Sequence, residues 1–192
     1  FDSLFDLTRI DAGNYKVRLQ HVDVVEVFRD LRLQFEPVAQ AKSLRLRTHA
    51  RHTVIWSDPV VLRRILGNLV SNALRHTQRG GVLVGLRRRE DMLVLEVWDT
   101  GVGIAREHQQ AIFQEFFRVS QHQGTEDSLG LGLTICRSLL ARCDAGILLG
   151  SALGGGAMVV LEFGDPPSAK PQEGAESEVF LNEEKSVDVA TP

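Results

Sequence analysis

The sequence has few cysteines, no long hydrophobic run and no excess of basic charge, and each shortage excludes a class of protein. The only cysteines are Cys136 and Cys143. On a helix their spacing corresponds to a rise of about 10 Å, too long for a disulfide, so we expect two reduced thiols and a cytoplasmic setting. No segment is apolar enough to cross a bilayer and no signal peptide is visible, although a parent protein could carry an inner-membrane anchor. The net charge of −3 gives no indication of nucleic-acid binding.

The composition is that of a soluble globular protein, with 43% hydrophobic and 24% charged residues among 192. We expect one domain with extensions. Residues 1–21 are interpreted as the end of a longer helix and a linker, and residues 22–164 as the folded domain. From Asp165 onward proline and glutamate dominate, which predicts a disordered acidic tail or linker over residues 165–192.

Hydrophobic periodicity predicts an alternation of helices and short strands along the domain. The predicted helices are Val22–Lys42, which Pro37 should kink or break near Glu36, Leu62–Thr77, Ala105–Phe113 and Leu131–Arg142. Ser57 and Asp58 before Pro59 predict a helix start, with a capping side chain followed by proline near the first turn. The predicted strands are Leu44–Thr48, Val54–Trp56, Val82–Arg88, Met92–Trp98, Ile147–Leu149 and Met158–Phe163. This order predicts an α+β fold, a two-layer sandwich in which about three helices cover one face of a mostly antiparallel sheet.

The helix Leu62–Thr77 carries an apolar and a polar stripe side by side. Asn68 and Asn72 lie one helical turn apart, and Arg75 and His76 follow within the next turn. Because asparagine is a weak helix former that favours caps and turns, two of them in mid-helix indicate a polar ligand. Taken alone, the pair is equally compatible with a solvated helix face.

Two glycine-containing segments follow this helix. Asp99 continues the apolar face of the strand Met92–Trp98 and precedes Thr100-Gly101-Val102-Gly103-Ile104, so a carboxylate stands beside a flexible backbone turn. Gly130-Leu131-Gly132-Leu133 begins a helix, where exposed N–H groups and the helix dipole favour an anion. Each segment alone is compatible with an ordinary tight turn.

Four motifs in this order resemble the ATP-binding catalytic domain of bacterial sensor histidine kinases, in the superfamily shared with gyrase B, MutL and the ninety-kilodalton heat-shock chaperone. LGNLVSNALRHT resembles the N box, WDTGVGI the G1 box, IFQEFFRV the F box and LGLGLTICRSL the G2 box. The resemblance covers about Asp23 to Gly164, and DLTRIDAG resembles the end of the kinase dimerisation helices. It implies the Bergerat fold, with ATP and Mg²⁺ as cofactors.

The resemblance also implies roles for individual residues. Asp99 would accept the adenine amino hydrogen, with Gly101, Gly103 and Ile104 lining the base pocket and His76 against the base. Asn72 would coordinate Mg²⁺, with Asn68 nearby on metal or phosphate. Arg75 and Arg118 would contact phosphate. Residues Arg118 to Leu129 would form the ATP lid, and the segment that follows would bring backbone N–H groups to the phosphates through Gly130, Leu131, Gly132 and Leu133.

Two features depart from the family pattern. Ser128 stands where the family usually has glycine, and none of the histidines has the flanking residues of a phosphoacceptor. The resemblance therefore implies transfer of the ATP γ-phosphoryl to a histidine on the dimerisation domain upstream of Phe1. The implied partners are that domain and a response regulator or receiver domain, with a monomeric fragment and a homodimeric parent.

Three alternatives remain open from the sequence. The chain could be a non-catalytic ATP-binding pseudokinase module, an anti-sigma-type Ser/Thr kinase or a plain ATPase. The ATPase branches of the superfamily place a glutamate one turn before the metal-binding asparagine to activate water, and this chain has Asn68 there. That substitution weighs against the ATPase, and DLTRIDAG weighs against the anti-sigma-type kinase.

Overall fold

The computed structural model describes residues 16–50, 53–117, 130–151 and 154–164. Several predicted features lie outside these ranges. They are the first fifteen residues of the predicted helix end and linker, which include DLTRIDAG, the segment from Arg118 to Leu129 that includes Ser128, and the acidic segment from Asp165.

The described residues form three α-helices and seven strands. The helices are α1 (Val24–Ala41), α2 (Pro59–His76) and α3 (Gly132–Ala141), and two 3-10 turns lie at Arg106–His108 and Ala111–Phe113. The strands are β1 (Gln20–Asp23), β2 (Arg45–His49), β3 (Val54–Ser57), β4 (Gly81–Arg89), β5 (Met92–Asp99), β6 (Ala145–Ser151) and β7 (Ala157–Phe163). No helix in these ranges has both the length and the apolar character needed to span a bilayer.

Five of the strands form one mixed sheet in the order β2-β4-β5-β7-β6. Only β2 and β4 pair in parallel, and the other three pairs are antiparallel. Strands β1 and β3 form a separate antiparallel pair. The prediction of an α+β fold with a mixed, mostly antiparallel sheet is confirmed.

The core lies between the helices and one face of this sheet. Val84, Val97 and Val159 are aligned across β4, β5 and β7 and face inward, as the alternation of a half-buried sheet requires. The predicted apolar stripe of α2 packs here and is buried, with Leu62, Ile65, Leu66, Leu69 and Ala73 all 5% exposed or less. The opposite sheet face exposes apolar side chains, among them Leu83, Trp98 and Leu148.

Helix α2 begins where the sequence predicts a helix start. The Asp58 carboxylate accepts hydrogen bonds from the N–H groups of Val60 (2.9 Å) and Val61 (3.2 Å) through Oδ1. Its Oδ2 accepts from the N–H of Arg18 at 2.7 Å. Pro59 occupies the first turn, where no N–H donor is needed. These contacts fix the start of the helix that carries Asn68 and Asn72.

Three predictions of secondary structure need correction. Helix α1 starts at Val24 rather than Val22, because residues 20–23 pair with β3. It also continues past Pro37, so the predicted break is absent; Pro37 lies on the exposed side, where water can replace the lost backbone hydrogen bond. The predicted helix Ala105–Phe113 is two 3-10 turns.

Both cysteines are free and buried, which agrees with the expectation of reduced thiols.

Candidate functional site

Asp99 ends β5 on the inward-facing side of the sheet and organises the loops around it. Its Oδ1 accepts hydrogen bonds from the N–H of Gly101 at 2.8 Å and of Ala157 at 3.2 Å. Both hydrogen bonds found for this carboxylate in the described ranges end on Oδ1. The second oxygen, Oδ2, is therefore left for another donor, and the half-buried side chain keeps a route to solvent.

Two glycines let backbone segments approach this carboxylate closely. A Cβ on Gly101 would lie 2.5 Å from the carbonyl oxygen of His76 and 2.9 Å from Asp99 Oδ1. Gly156 has a φ of +79°, and a Cβ there would overlap the Asp99 carbonyl oxygen. The His76 carbonyl also accepts from the N–H of Val102 at 3.4 Å. The end of α2 is thus joined directly to the loop after β5.

The rest of the predicted base pocket is tied to β6. The N–H of Ile104 donates to Ser151 Oγ at 2.8 Å, and Ser151 Oγ donates to the carbonyl of Gly156 at 2.9 Å. Gln109 Nε2 bridges the carbonyl oxygens of Ile104 (3.1 Å) and Ser151 (2.8 Å). Gly103 has a φ of +69°, which glycine adopts without strain. The loop is held by the sheet although it has no regular structure of its own.

Asn68 lies at the other end of the site, against the first turn of α3. Its Nδ2 is 3.2 Å from Cys136 Sγ. A Cβ on Gly132 would lie 2.5 Å from Asn68 Oδ1 and 2.6 Å from Nδ2. The absence of a side chain at Gly132 therefore allows the Asn68 carboxamide to lie flat against α3. Burial raises the pKa of the Cys136 thiol to about 11, although the hydrogen bond from Asn68 opposes this shift.

The start of α3 carries backbone N–H groups that the helix itself does not use. Within the described residues, no side chain caps its N-terminus, so its first N–H groups stay available to an anion. Gly130 has a φ of +68°, and a Cβ there would lie 2.8 Å from the Phe117 carbonyl. Leu131 is 1% exposed, so only its backbone can serve a ligand, and Leu133 is half-buried.

The remaining predicted residues lie on α2 between these two ends. Asn72 and Arg75 are partly exposed, and the His76 side chain is exposed while its carbonyl joins the loop at Gly101. Eight residues separate Asn68 from His76, which corresponds to about 12 Å along a helix. Arg118 lies outside the described residues.

On α2, the side chains that could bind a cation at this site are the carboxamides of Asn68 and Asn72. The described residues contain no group of three or more His, Cys, Asp and Glu side chains that would hold a metal ion. The carboxamides of Asn68 and Asn72 offer hard oxygen ligands of the kind that Mg²⁺ accepts when phosphates supply the rest. The residues present thus fit a magnesium ion bound together with a polyphosphate.

Two open clefts lie away from this cluster. One, of about 580 Å³, is lined by α1 together with Thr48 and Ala50, and the other, of about 560 Å³, is lined by residues of β2, β4 and β5 together with Arg32. Neither includes Asn68, Asp99 or Gly132. The candidate site is therefore located by its hydrogen-bond donors and acceptors, at Asp99, Asn68 and the start of α3, and not by the volume of a cleft.

The sequence did not indicate four residues that the structure brings into the site. Ser151, Gly156 and Ala157 surround Asp99, and Cys136 contacts Asn68. The one signal in the sequence is the glycine run 154–156, which by itself indicates only a turn. These contacts join segments that are distant in the sequence, so local patterns carry little information about them.

Known proteins resemble this chain in sequence. Residues 57–167 match the model of the family described as histidine kinase-, DNA gyrase B-, and HSP90-like ATPase. The chain is 30% identical over 156 residues to the sensor protein EvgS of Escherichia coli strain K12, covering 77% of this chain and 13% of EvgS. It is 32% identical over 177 residues to the aerobic respiration control sensor protein ArcB of the same strain, covering 88% of this chain and 23% of ArcB.

The fold is also found in solved structures. The crystal structure of full-length ShkA in complex with AMPPNP superimposes with a TM-score of 0.76 at 28% identity, covering 86% of this chain and 35% of ShkA. The chain spans less than a quarter of the length of either curated relative. The family match covers more than half of this chain. The chain therefore belongs to the histidine kinase-, DNA gyrase B-, and HSP90-like ATPase family.

Proposed function

We propose that this chain is the ATP-binding catalytic domain of a two-component sensor histidine kinase and binds ATP with Mg²⁺ along α2. The observation that carries the proposal is that α2 joins two groups of donors and acceptors unused within the described part of the chain, one at Asn68 and the other near Asp99. Asn68 contacts the start of α3, where no side chain of the described residues caps the helix, and the carbonyl of His76 contacts the loop held by Asp99. A nucleotide laid along α2 would place its base at one end and its phosphates at the other.

At the base end, Asp99 would recognise adenine. Its Oδ1 is occupied by two backbone N–H groups, so Oδ2 would accept from the exocyclic amino group. An acceptor at this position favours adenine over guanine, whose corresponding group is a carbonyl oxygen. Support also comes from the ShkA structure, which was solved with an ATP analogue.

At the phosphate end, the chain would supply backbone donors and neutral oxygens. The first N–H groups of α3 would face phosphate oxygens, and Asn72 with Asn68 would hold Mg²⁺. The metal, when bound, would offset the negative charge of the phosphates during transfer. Arg75 lies one turn beyond Asn72 and would contact the phosphates as a cation.

The proposed reaction moves the γ-phosphoryl group to a histidine on the dimerisation domain. The bond from phosphorus to the β,γ-bridging oxygen breaks, a bond to the imidazole nitrogen forms, and ADP leaves. Because the imidazole is itself the nucleophile, this domain contributes positioning and charge stabilisation rather than a strong base. The proposed partners are the dimerisation domain of a homodimeric parent and a response regulator or receiver domain.

The Asp99→Asn variant tests base recognition. Asparagine keeps an Oδ1 for Gly101 and Ala157 but presents N–H groups where adenine needs an acceptor, so we expect ATP affinity to fall about 100-fold or more. The free energy of unfolding should change little. Titration calorimetry with millimolar Mg²⁺, alongside urea unfolding, measures both. Asp91→Asn in the exposed β4–β5 turn is the matched control, and unchanged ATP affinity in Asp99→Asn would remove Asp99 from this role.

A phosphotransfer assay separates the kinase from its main rival. Mixing the chain with the parent's dimerisation domain and γ-labelled ATP should produce acid-labile, alkali-stable phosphohistidine. ATP binding without any phosphohistidine would instead favour a non-catalytic pseudokinase module. Absence of ATP binding by well-folded protein would contradict both.

A further inference from the structure

The Asn68 carboxamide is held by two residues of α3. It lies against the backbone of Gly132, and its Nδ2 is 3.2 Å from Cys136 Sγ. Cys136 is 1% exposed, whereas Asn68 is half-buried. The side chain predicted to face metal or phosphate is therefore anchored at its rear by a buried thiol.

The thiol is itself oriented by α2. Cys136 Sγ lies 3.9 Å from the carbonyl oxygen of Ile65, one turn before Asn68, at the distance of a weak S–H donor contact. A thiol has one hydrogen, so a thiol that donates to Ile65 presents lone pairs to its other neighbours. The Asn68 amide must then turn an N–H toward sulfur.

We propose that Cys136 is a positioning residue for Asn68, holding the amide so that Oδ1 is the atom presented to a cation. The inference rests on the proposed function, because it assigns that cation to the Mg²⁺ bound with ATP. It also chooses between the two roles left open for Asn68, since a carbonyl oxygen coordinates a metal but cannot donate to phosphate. The order of donation is Asn68 N–H to Cys136 sulfur, and Cys136 S–H to the Ile65 carbonyl.

Two substitutions in the full chain separate orientation from packing. Cys136→Val is larger by about one methyl group and can neither accept nor donate, whereas Cys136→Ser is slightly smaller and can do both. Loss of a residue that orients a metal ligand typically weakens metal affinity by about 10–100-fold. For Cys136→Val we therefore expect half-maximal ATP binding to require an Mg²⁺ concentration about tenfold higher than in the wild type. Cys136→Ser should stay within about threefold of the wild type on the same argument. Calorimetric titration of Mg²⁺ into chain and ATP gives this dependence.

Two further readouts exclude a purely structural effect. ATP binding measured in EDTA should be equal in the three proteins, because the base end is untouched. The side-chain amide protons of Asn68, followed by NMR, should exchange faster with water in Cys136→Val than in the wild type or Cys136→Ser. Equal exchange in all three proteins would contradict the hydrogen bond to sulfur.

The Asn68→Ala variant distinguishes failure of this inference from failure of the proposed function. The inference expects Asn68→Ala to weaken the Mg²⁺ dependence, and Cys136→Val to add nothing in that background. If Asn68→Ala is impaired while Cys136→Val behaves as the wild type, the positioning role is wrong and the ATP site stands. If Asn68→Ala retains full Mg²⁺ dependence, the metal role of Asn68 and this inference both fail. A wild-type chain that binds no ATP overturns the proposed function itself.

Discussion

The two ends of the candidate site are built in different ways. Around Asp99, backbone groups hold the side chain, since the N–H groups of Gly101 and Ala157 both donate to its Oδ1. Around Asn68, one side chain lies between a glycine and a thiol. The first end is fixed by several hydrogen bonds at once, and the second depends on how well one amide fits.

The glycines show the same difference. A Cβ at Gly101 or Gly156 would meet carbonyl oxygens of the backbone, which cannot move without disturbing α2 or β5. A Cβ at Gly132 would instead meet the carboxamide of Asn68, the end of a side chain that can rotate away. We therefore expect replacement of a glycine at the Asp99 end to reduce stability, and replacement of Gly132 at the Asn68 end to reduce ligand affinity while the fold survives.

Gly156→Ala should have the largest effect on stability. The new Cβ would overlap the Asp99 carbonyl and would also require a non-glycine residue at a φ of +79°. Overpacking and positive φ together should lower the free energy of unfolding by about 3–4 kcal/mol. Urea unfolding followed by circular dichroism measures the change.

Gly154→Ala is the matched control for this substitution. Gly154 lies in the same turn with a φ of +75°, but a Cβ there meets nothing within 4 Å. Gly154→Ala should lower the free energy of unfolding by only about 1 kcal/mol, the cost of placing alanine at a positive φ. If both variants lost the same free energy of unfolding, the overlap with Asp99 would have no energetic cost of its own. The contrast between the two ends of the site would then disappear.

Alkaline pH should destabilise the protein through the thiol that contacts Asn68. The pKa of Cys136 is raised from its ordinary value of 9.0 to about 11 by burial. Its contribution to stability is complete below about pH 9 and is lost as pH rises through 11, because only the unfolded thiol ionises readily in that window. Two pKa units correspond to about 2–3 kcal/mol.

Unfolding free energies measured at pH 8 and pH 11 test this linkage. Cys136→Val should lose less stability between these values than the wild type, by about 2 kcal/mol. Cys143→Val is the comparison, since burial also raises the pKa of Cys143, although the backbone of Asp58 and the side chain of Ser57 stabilise its thiolate. An equal pH dependence in wild type and Cys136→Val would show that the thiol beside Asn68 is not buried as described.

The sequence predicted the elements that rest on local signals. Asp58 and Pro59 predicted the start of α2, and the alternating runs around the turn at Glu90 and Asp91 predicted the β4–β5 hairpin. Each of these features is determined within a few residues by capping or alternation. Local signals in the sequence therefore suffice to assign the motifs on α2 and β5 to the correct elements.

Features that depend on distant partners were missed. Strand β1 has four residues and one buried side chain, Val22, and it becomes a strand only by pairing with β3 more than thirty residues later. The contacts of Asn68 with Cys136, and of Asp99 with Ala157, likewise join segments about 60–70 residues apart. The resemblance placed both asparagines and both glycine segments in one site, but it gave no contact between them.

Gly132→Ala provides the sharpest test of the contrast, with the smallest expected effect on stability. Alanine favours a helix over glycine by about 1 kcal/mol in a helix interior and by less at the first helical residue, where Gly132 stands, so it should offset part of the overlap with the flexible amide. We expect the free energy of unfolding to change by less than about 1 kcal/mol, whereas displacement of Asn68 weakens Mg²⁺-dependent ATP binding about tenfold. Urea unfolding and calorimetry on the same preparation measure both quantities.

Gly67→Ala is the control that makes this result interpretable. Gly67 precedes Asn68 on α2, and a Cβ there would make only an ordinary contact with the Phe35 ring, at 3.8 Å. Gly67→Ala should raise the free energy of unfolding by up to about 1 kcal/mol, because alanine has the higher helix propensity, and should leave ATP affinity unchanged. Full affinity in Gly132→Ala would mean that the ligand tolerates a displaced Asn68. A loss of several kcal/mol in that variant would instead mean that the two ends are equally rigid, because the amide could not move aside.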